Sequence, residues 1–524
     1  MDARRITYAA AWGALLLVGA LPLLVMVLES FRVEGAWSLA AWQQAMGGGR
    51  FWTLFFQSAA FSVLVALSTL LAGVPLGLLL GRSDLPGRVP LLFAYLSALL
   101  VPPYVWAVGW GALLSPGGPA ASLLGEGAAA WLAGHYFGPA GLFFLLFGIF
   151  LPIPMLLSAA AVRAVPADLE EAARLVAPWP TVVRRVTLPL IAPSLRLSFV
   201  LVFLLVMGET TVAGFLRVPT FAMESLTQFA AFYDFSAATA SAVPLLLLAL
   251  ALTGYEKRRE KGWRLQGSAS VRRVRWHLPR GYMTAGVLAL PPLGAMGLAL
   301  WGLAAQSGGL SAWLAAAAQS ADAAGRSLLY AAVGATLLTL LGLAVGYGVQ
   351  RREMPLAAWA DGLTLLLFAL PGSVAAVGLI ALSDTPLGGF AYGTPLLLVA
   401  AYLARYALIP ARLVASRLAL LPRELEEAAR LAGASWGVRM GRIVVPLLGR
   451  ALASAWLAGY LFCLRDSAAT TLLYVPGRDT LGVRLLTSMA NGEPAQLATL
   501  SLLSAALALP AALGLWAVTR KEAA

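Results

Sequence analysis

Charge, cysteine, histidine and lysine are all scarce in this 524-residue chain, and each scarcity closes off a class of protein. Charged residues make up 12% and hydrophobic residues 60%. A soluble domain of this length needs far more charge to cover its surface, so lipid is the expected solvent. The single cysteine, Cys463, lies in an apolar segment without a partner. That excludes a disulfide framework and reads as a small core residue. The histidines, His135 and His277, stand far apart outside the apolar stretches, so metal-ligand spacing is absent. His135, beside Tyr136, reads as a polar loop residue. The only lysines are Lys257, Lys261 and Lys521, followed by Arg, Gly and Glu. A phosphate-binding loop needs Gly-Lys followed by Ser or Thr. The chain is therefore expected to hold no ATP site, no catalytic residue, no metal and no cofactor of its own.

What is present is a series of apolar stretches of spanning length, such as Leu142 to Val162 and Pro395 to Leu413. The fold expected is all-α and membrane-integral, with twelve spans near residues 8–28, 57–80, 89–114, 140–162, 194–216, 236–255, 282–304, 327–349, 358–382, 395–416, 449–472 and 495–518. The first stretch lacks a small-residue cleavage site followed by a soluble region, so it reads as a retained span rather than a signal peptide. The net charge of +13 would suit a nucleic-acid partner, but its distribution argues otherwise. Of 37 Lys and Arg residues, only Arg32, Arg50, Arg217, Arg326, Arg465, Arg478 and Arg484 fall on the outer side of these spans. This is the positive-inside asymmetry, and it puts both termini in the cytoplasm of a bacterial inner-membrane protein.

The chain also repeats itself, which is worth seeking early in any reading. Gly73, Gly77 and Arg82 recur as Gly342, Gly346 and Arg351, each 269 residues later, and Pro102 and Gly109 recur as Pro371 and Gly378. Glu171-Ala172-Ala173-Arg174 recurs as Glu427-Ala428-Ala429-Arg430 at 256, and Val218-Pro219 as Val475-Pro476 at 257. A longer outer loop in the first half absorbs the difference. Two parallel six-span repeats are expected, 1–260 and 282–524, joined by a basic cytoplasmic linker at 261–281 held near anionic headgroups.

Between the fourth and fifth spans each repeat carries a cytoplasmic loop of about thirty residues. In the second, residues 421–436, Pro422 can open a helix and Glu424, Glu426 and Glu427 place negative charge at its positive end. Glu426 and Arg430 are spaced for an i,i+4 pair. Leu425, Ala428, Ala429 and Ala432 share one face, Gly433 permits a bend, and Ser435 can cap a second short helix. A small-residue face with glutamates suits a protein socket. An amphipathic helix lying on lipid would carry bulky apolar residues and lysine instead.

Glu427-Ala428-Ala429, then Gly433, Ile443 and Val445-Pro446, resembles the EAA loop of binding-protein-dependent ABC importers. The first copy, Glu171-Ala172-Ala173 to Leu188-Pro189, is similar but one residue shorter, with Val176-Ala177-Pro178 in place of the glycine; Pro178 and Pro180 are candidates for the break. The resemblance implies the ABC importer permease fold. It also implies that these loops couple to two separate cytoplasmic ATPase subunits, which carry the ATP and Mg, and that an external substrate-binding protein delivers cargo. The fused layout resembles the ferric-iron permeases most closely, with thiamine and aminoethylphosphonate permeases as alternatives. A major-facilitator-like carrier is the alternative from another class. Gly81 to Arg88 faintly resembles that family's signature, but residues 350–355 keep little of it. Finally, Glu209 with Thr210 and Thr211, and Asp466, the counterpart of Glu209 at 257, with its neighbours Arg465 and Ser467, put ionisable groups deep in the fifth and eleventh spans. There they are expected to line a translocation path, with Glu209 paired to Arg465.

Overall fold

The computed structural model describes residues 3–33, 36–230, 235–260, 276–278, 280–491 and 494–523. Most of the expected linker, residues 261–275 and 279, lies outside the described residues. The chain is helical nearly throughout; among the described residues the only paired strands are a two-residue antiparallel ladder, Arg32–Val33 with Ala36–Trp37.

Among the described residues, eight helices are long and apolar enough to cross a membrane: Ala3–Glu29, Gly49–Arg82, Pro139–Arg163, Trp179–Met207, Ser236–Arg258, Gly281–Gln306, Ala321–Arg351 and Pro494–Arg520. Four further pairs reach that length only together, and each is bent. Arg88–Leu100 meets Pro103–Leu113 at 92°, Ala357–Ala369 meets Gly372–Ser383 at 110°, Leu396–Tyr406 meets Leu408–Leu418 at 44°, and Trp436–Leu447 meets Gly449–Arg465 at 75°. Counting each pair as one span restores twelve.

The third and ninth spans, read from sequence as continuous, are therefore broken, and the reason is local. Val101 before Pro102 and Leu370 before Pro371 are extended, with ψ 141° in both. A residue preceding proline is driven out of the helical region, and proline cannot donate the next helical hydrogen bond. Hydropathy runs unbroken across these positions, so composition alone reads through them.

Each repeat is built on its second, fourth and fifth spans. Gly73 and Gly77 of Gly49–Arg82 press on Pro154, Met155 and Ser158 of Pro139–Arg163, and Gly342 and Gly346 press on Pro410, Ala411 and Val414. Small residues four apart let two helix backbones approach, which is how membrane helices associate where lipid supplies no hydrophobic drive. The bent span of each repeat packs between the first and last spans of the other repeat. Gly109, on Pro103–Leu113, lies against Ala299 of the second repeat's first span; its counterpart Gly378 lies against Pro22 of the first repeat's first span. The repeats are thus interlocked, and the boundaries drawn at 260 and 282 divide the sequence without dividing the packing.

Candidate functional site

The loops after the fourth spans fold into short helices, Ala167–Arg174 and Glu424–Leu431. The second ends as its sequence indicates. Gly433 has φ +82°, its N–H donates to the Arg430 carbonyl, and the Ala434 N–H donates to the Ala429 carbonyl. This paired closure wants a residue in the left-handed region, which glycine adopts without strain. Ser435 Oγ then accepts from the Val438 N–H at 3.5 Å. The first helix has no such closure; Val176 bonds back to Ala173, and the chain restarts at Pro178 as the cap of Trp179–Val182.

The two loop helices show the same faces. Glu171, Ala172, Glu427 and Ala428 are exposed, while Ala173 and Ala429 are half-buried. Two positions further on, Leu175 and Leu431 are 88% and 90% exposed. The preceding glutamates turn inward. Glu170 meets Arg82 at 3.0 Å with both side chains fully buried, and Glu426 meets Arg351 at 2.7 Å. The expected Glu426–Arg430 pair is therefore not what forms, because the carboxylate is drawn into the bundle by a guanidinium at the end of the second span. The repeat of Arg82 as Arg351 was visible in the sequence, but its partner was not.

Above each loop lies the segment that leads into the other repeat's first span. Trp276 packs edge-on to Trp179 at 5.6 Å and its backbone N–H donates to the Arg82 carbonyl at 2.7 Å. Asp84 accepts from the Leu278 N–H at 3.0 Å and lies 2.6 Å from His277 Nδ1. These contacts, the Leu278 N–H foremost, hold the Asp84 carboxyl below its ordinary range. In the second repeat Tyr8 takes the equivalent place against Trp436, with ring centroids 6.3 Å apart.

Between the repeats is a cavity of about 750 Å³ that extends toward the loop-helix end, where Ser416, Arg417 and Leu420 line it. At its head four chain breaks converge. Gly208, ending Leu188–Met207, sits against Pro371, and Arg465, ending Gly449–Arg465, donates to the Leu99 carbonyl beside the first repeat's break. Irregular backbone within a membrane persists where protein or a cavity satisfies it, as here. Glu209 Oε1 accepts from the Thr211 and Val212 N–H groups at 2.8 and 3.0 Å, capping the turn Thr211–Phe215. Asp466 Oδ1 does the same for Ala469 and Thr470. Thr211 and Ser467 hydroxyls meet at 2.8 Å and bridge the two repeats.

The ion pairing at the cavity head differs from the expectation. Arg465 engages the Leu99 carbonyl instead of Glu209, and Asp466 pairs with Arg405 while accepting from Tyr406 Oη at 2.5 Å. Arg405 was grouped by sequence with the cytoplasmic charges, because the tenth span's apolar run hides how deep it lies. Glu209, Thr211, Arg465, Asp466 and Ser467 are on the cavity wall, together with Arg405 and Tyr406, whereas Thr210 is buried beside it.

Bent spans that leave freed backbone around a central cavity, with paired helices presented at one end, make a helical membrane-spanning bundle. Residues 73–263, roughly the first repeat's second to sixth spans, match the family described as the binding-protein-dependent transport system inner membrane component. Among curated proteins the chain is similar to the ferric transport system permease protein FbpB of Actinobacillus pleuropneumoniae, 29% identical over 168 residues, which is 32% of this chain and 24% of that one. It is also similar to the putative ferric transport system permease protein FbpB 1 of Haemophilus influenzae, 32% identical over 149 residues, 28% of this chain and 23% of that one. The matched stretch thus spans about a quarter of the length of each relative.

Proposed function

We propose that the chain is the translocation subunit of an ATP-driven importer, that two cytoplasmic ATPase subunits seat on Ala167–Arg174 and Glu424–Leu431, and that an external binding protein delivers ferric iron. The observation that carries this reading is the matched exposure of Glu171, Ala172 and Leu175 and of Glu427, Ala428 and Leu431 on two repeat-related helices. An exposed leucine among small residues and a glutamate is a surface that wants an apolar partner with a complementary charge. An ion-driven carrier has no use for two such sockets.

In the working cycle ATP draws the two ATPase subunits together. The sockets bring the inner ends of the repeats together, the outer ends part, and cargo enters between them; hydrolysis resets the bundle. The cavity, extending toward the sockets, suits the resting, inward-facing stage of that cycle. Ferric iron is favoured by the similarity to FbpB proteins.

The test is to isolate the binding protein that docks on this permease and determine its ligand. Bound ferric iron supports the proposal; a thiazolium or a phosphonate replaces the cargo while leaving the importer reading intact.

A further inference from the structure

We infer that the buried Arg82–Glu170 and Arg351–Glu426 pairs are positioning straps, which make each loop helix move as one body with the second span of its own repeat. This rests on the importer reading above and adds how a push on the socket reaches the membrane.

Both straps are built the same way. Arg82 holds Glu170 and also donates to the Val165 carbonyl at 3.0 Å; Arg351 holds Glu426 and also donates to the Leu421 carbonyl at 3.3 Å. Val165 and Leu421 are repeat counterparts, so each guanidinium grips the chain just before its loop helix and again inside it. A buried ion pair is a poor way to add stability, since well-packed apolar residues of similar volume do as well or better. What a guanidinium–carboxylate contact adds is fixed direction. Its occurrence at both repeat positions, at the joint between socket and span, fits a part that must transmit orientation.

The straps also differ in one respect. Glu170 takes its other hydrogen bond from Thr187 Oγ1 at 2.7 Å, on the helix that follows the loop. Glu426 takes its from Tyr347 Oη at 2.6 Å, on the second span itself. The counterpart of Thr187 is Val444 and the counterpart of Tyr347 is Leu78, neither of which can donate. Each repeat carries one of the two hydroxyls and lacks the other. The second loop helix is therefore tied twice to its second span, and the first is tied once to its second span and once to the fifth.

The experiment replaces the second strap by an apolar pair of similar size, Arg351→Met with Glu426→Leu, so that no buried charge is stranded. Two readouts follow: hydrogen exchange of residues 424–431 in the purified permease alone, and uptake per ATP hydrolysed in vesicles containing the permease, its ATPase subunits and its binding protein. The strap predicts normal abundance and ATPase binding. It predicts exchange at 424–431 faster by about tenfold or more, the scale for losing charge-assisted hydrogen bonds, and a comparable fall in uptake per ATP. Tyr347→Phe should loosen only the second loop and Thr187→Val only the first. An apolar pair with wild-type exchange and wild-type coupling overturns the inference. So does Tyr347→Phe loosening both loops alike. If the wild-type vesicles show no ATP-driven uptake, the importer reading fails, and the exchange comparison on the permease alone still decides whether the strap fixes the loop.

Discussion

Asp466→Asn tests the packing at the head of the cavity. Asp466 has a fully buried side chain whose Oδ2 accepts from Arg405 and Tyr406, while Oδ1 caps the Ala468–Leu473 turn. Asparagine retains one carbonyl oxygen for the cap but loses the charge and the second acceptor. Two hydrogen bonds to a charged group are then gone, each contributing about 1.5–3 kcal/mol, and Arg405 loses the carboxylate it pairs with. Breaking a buried pair in this way costs roughly 3–5 kcal/mol in total. Arg405→Met alone strands the carboxylate and should cost a similar amount. The double variant strands nothing, so it should be less destabilised than the two singles combined by about 1–3 kcal/mol. The assay is thermal denaturation of the four proteins purified in detergent, read as a double-mutant cycle. Additive single effects, or an Asp466→Asn protein as stable as the parent, refute the pairing.

Three further outcomes are expected. Glu427→Arg and Leu431→Asp should abolish uptake at normal protein abundance, with Glu427→Arg more harmful than Glu171→Arg; immunoblots and transport assays check both, and the opposite order would count against the greater weight given to the glycine-closed second loop. Gly77→Val would drive a side chain into Ser158 and the Met155 carbonyl, costing about 1–3 kcal/mol or more as overpacking, whereas Gly148→Ala, with open space around it, should leave the melting temperature close to the parent's. Because the folded Asp84 carboxyl titrates below its ordinary range, its tie to Leu278 and His277 stabilises above that range and is lost as pH falls through the depressed value; exchange of the Leu278 amide, corrected for intrinsic rate, should show protection lost only in acid, and Asp84→Ala should remove it at every pH.

Much of the architecture is written in the sequence because it depends on local chemistry. The loop helices and the Gly433 closure each need only neighbouring residues, and the Ser435 cap likewise. The breaks at Pro102 and Pro371 were legible in principle, since the prolines themselves carry the signal, but continuous hydropathy outweighed them. The interlocking of the repeats was not legible: Gly109 against Ala299 and Gly378 against Pro22 join residues with no periodic relation. The same applies at the cavity head. Glu209 and Arg465 stand out as charges in apolar runs, yet which carboxylate meets which guanidinium depends on how four chain ends converge. Arg405, the true partner of Asp466, looks from the sequence like one more inward-side arginine. Glu170 and Glu426 were hidden for a related reason, because the exposed glutamate that follows each of them carries the motif.

The importer reading is tested most directly by reconstituting the permease with its ATPase subunits and binding protein in sealed vesicles and following labelled ferric iron. The account predicts uptake that needs ATP and the binding protein together and persists when ion gradients are collapsed. Uptake that proceeds without ATP and stops when the gradients are collapsed would contradict it.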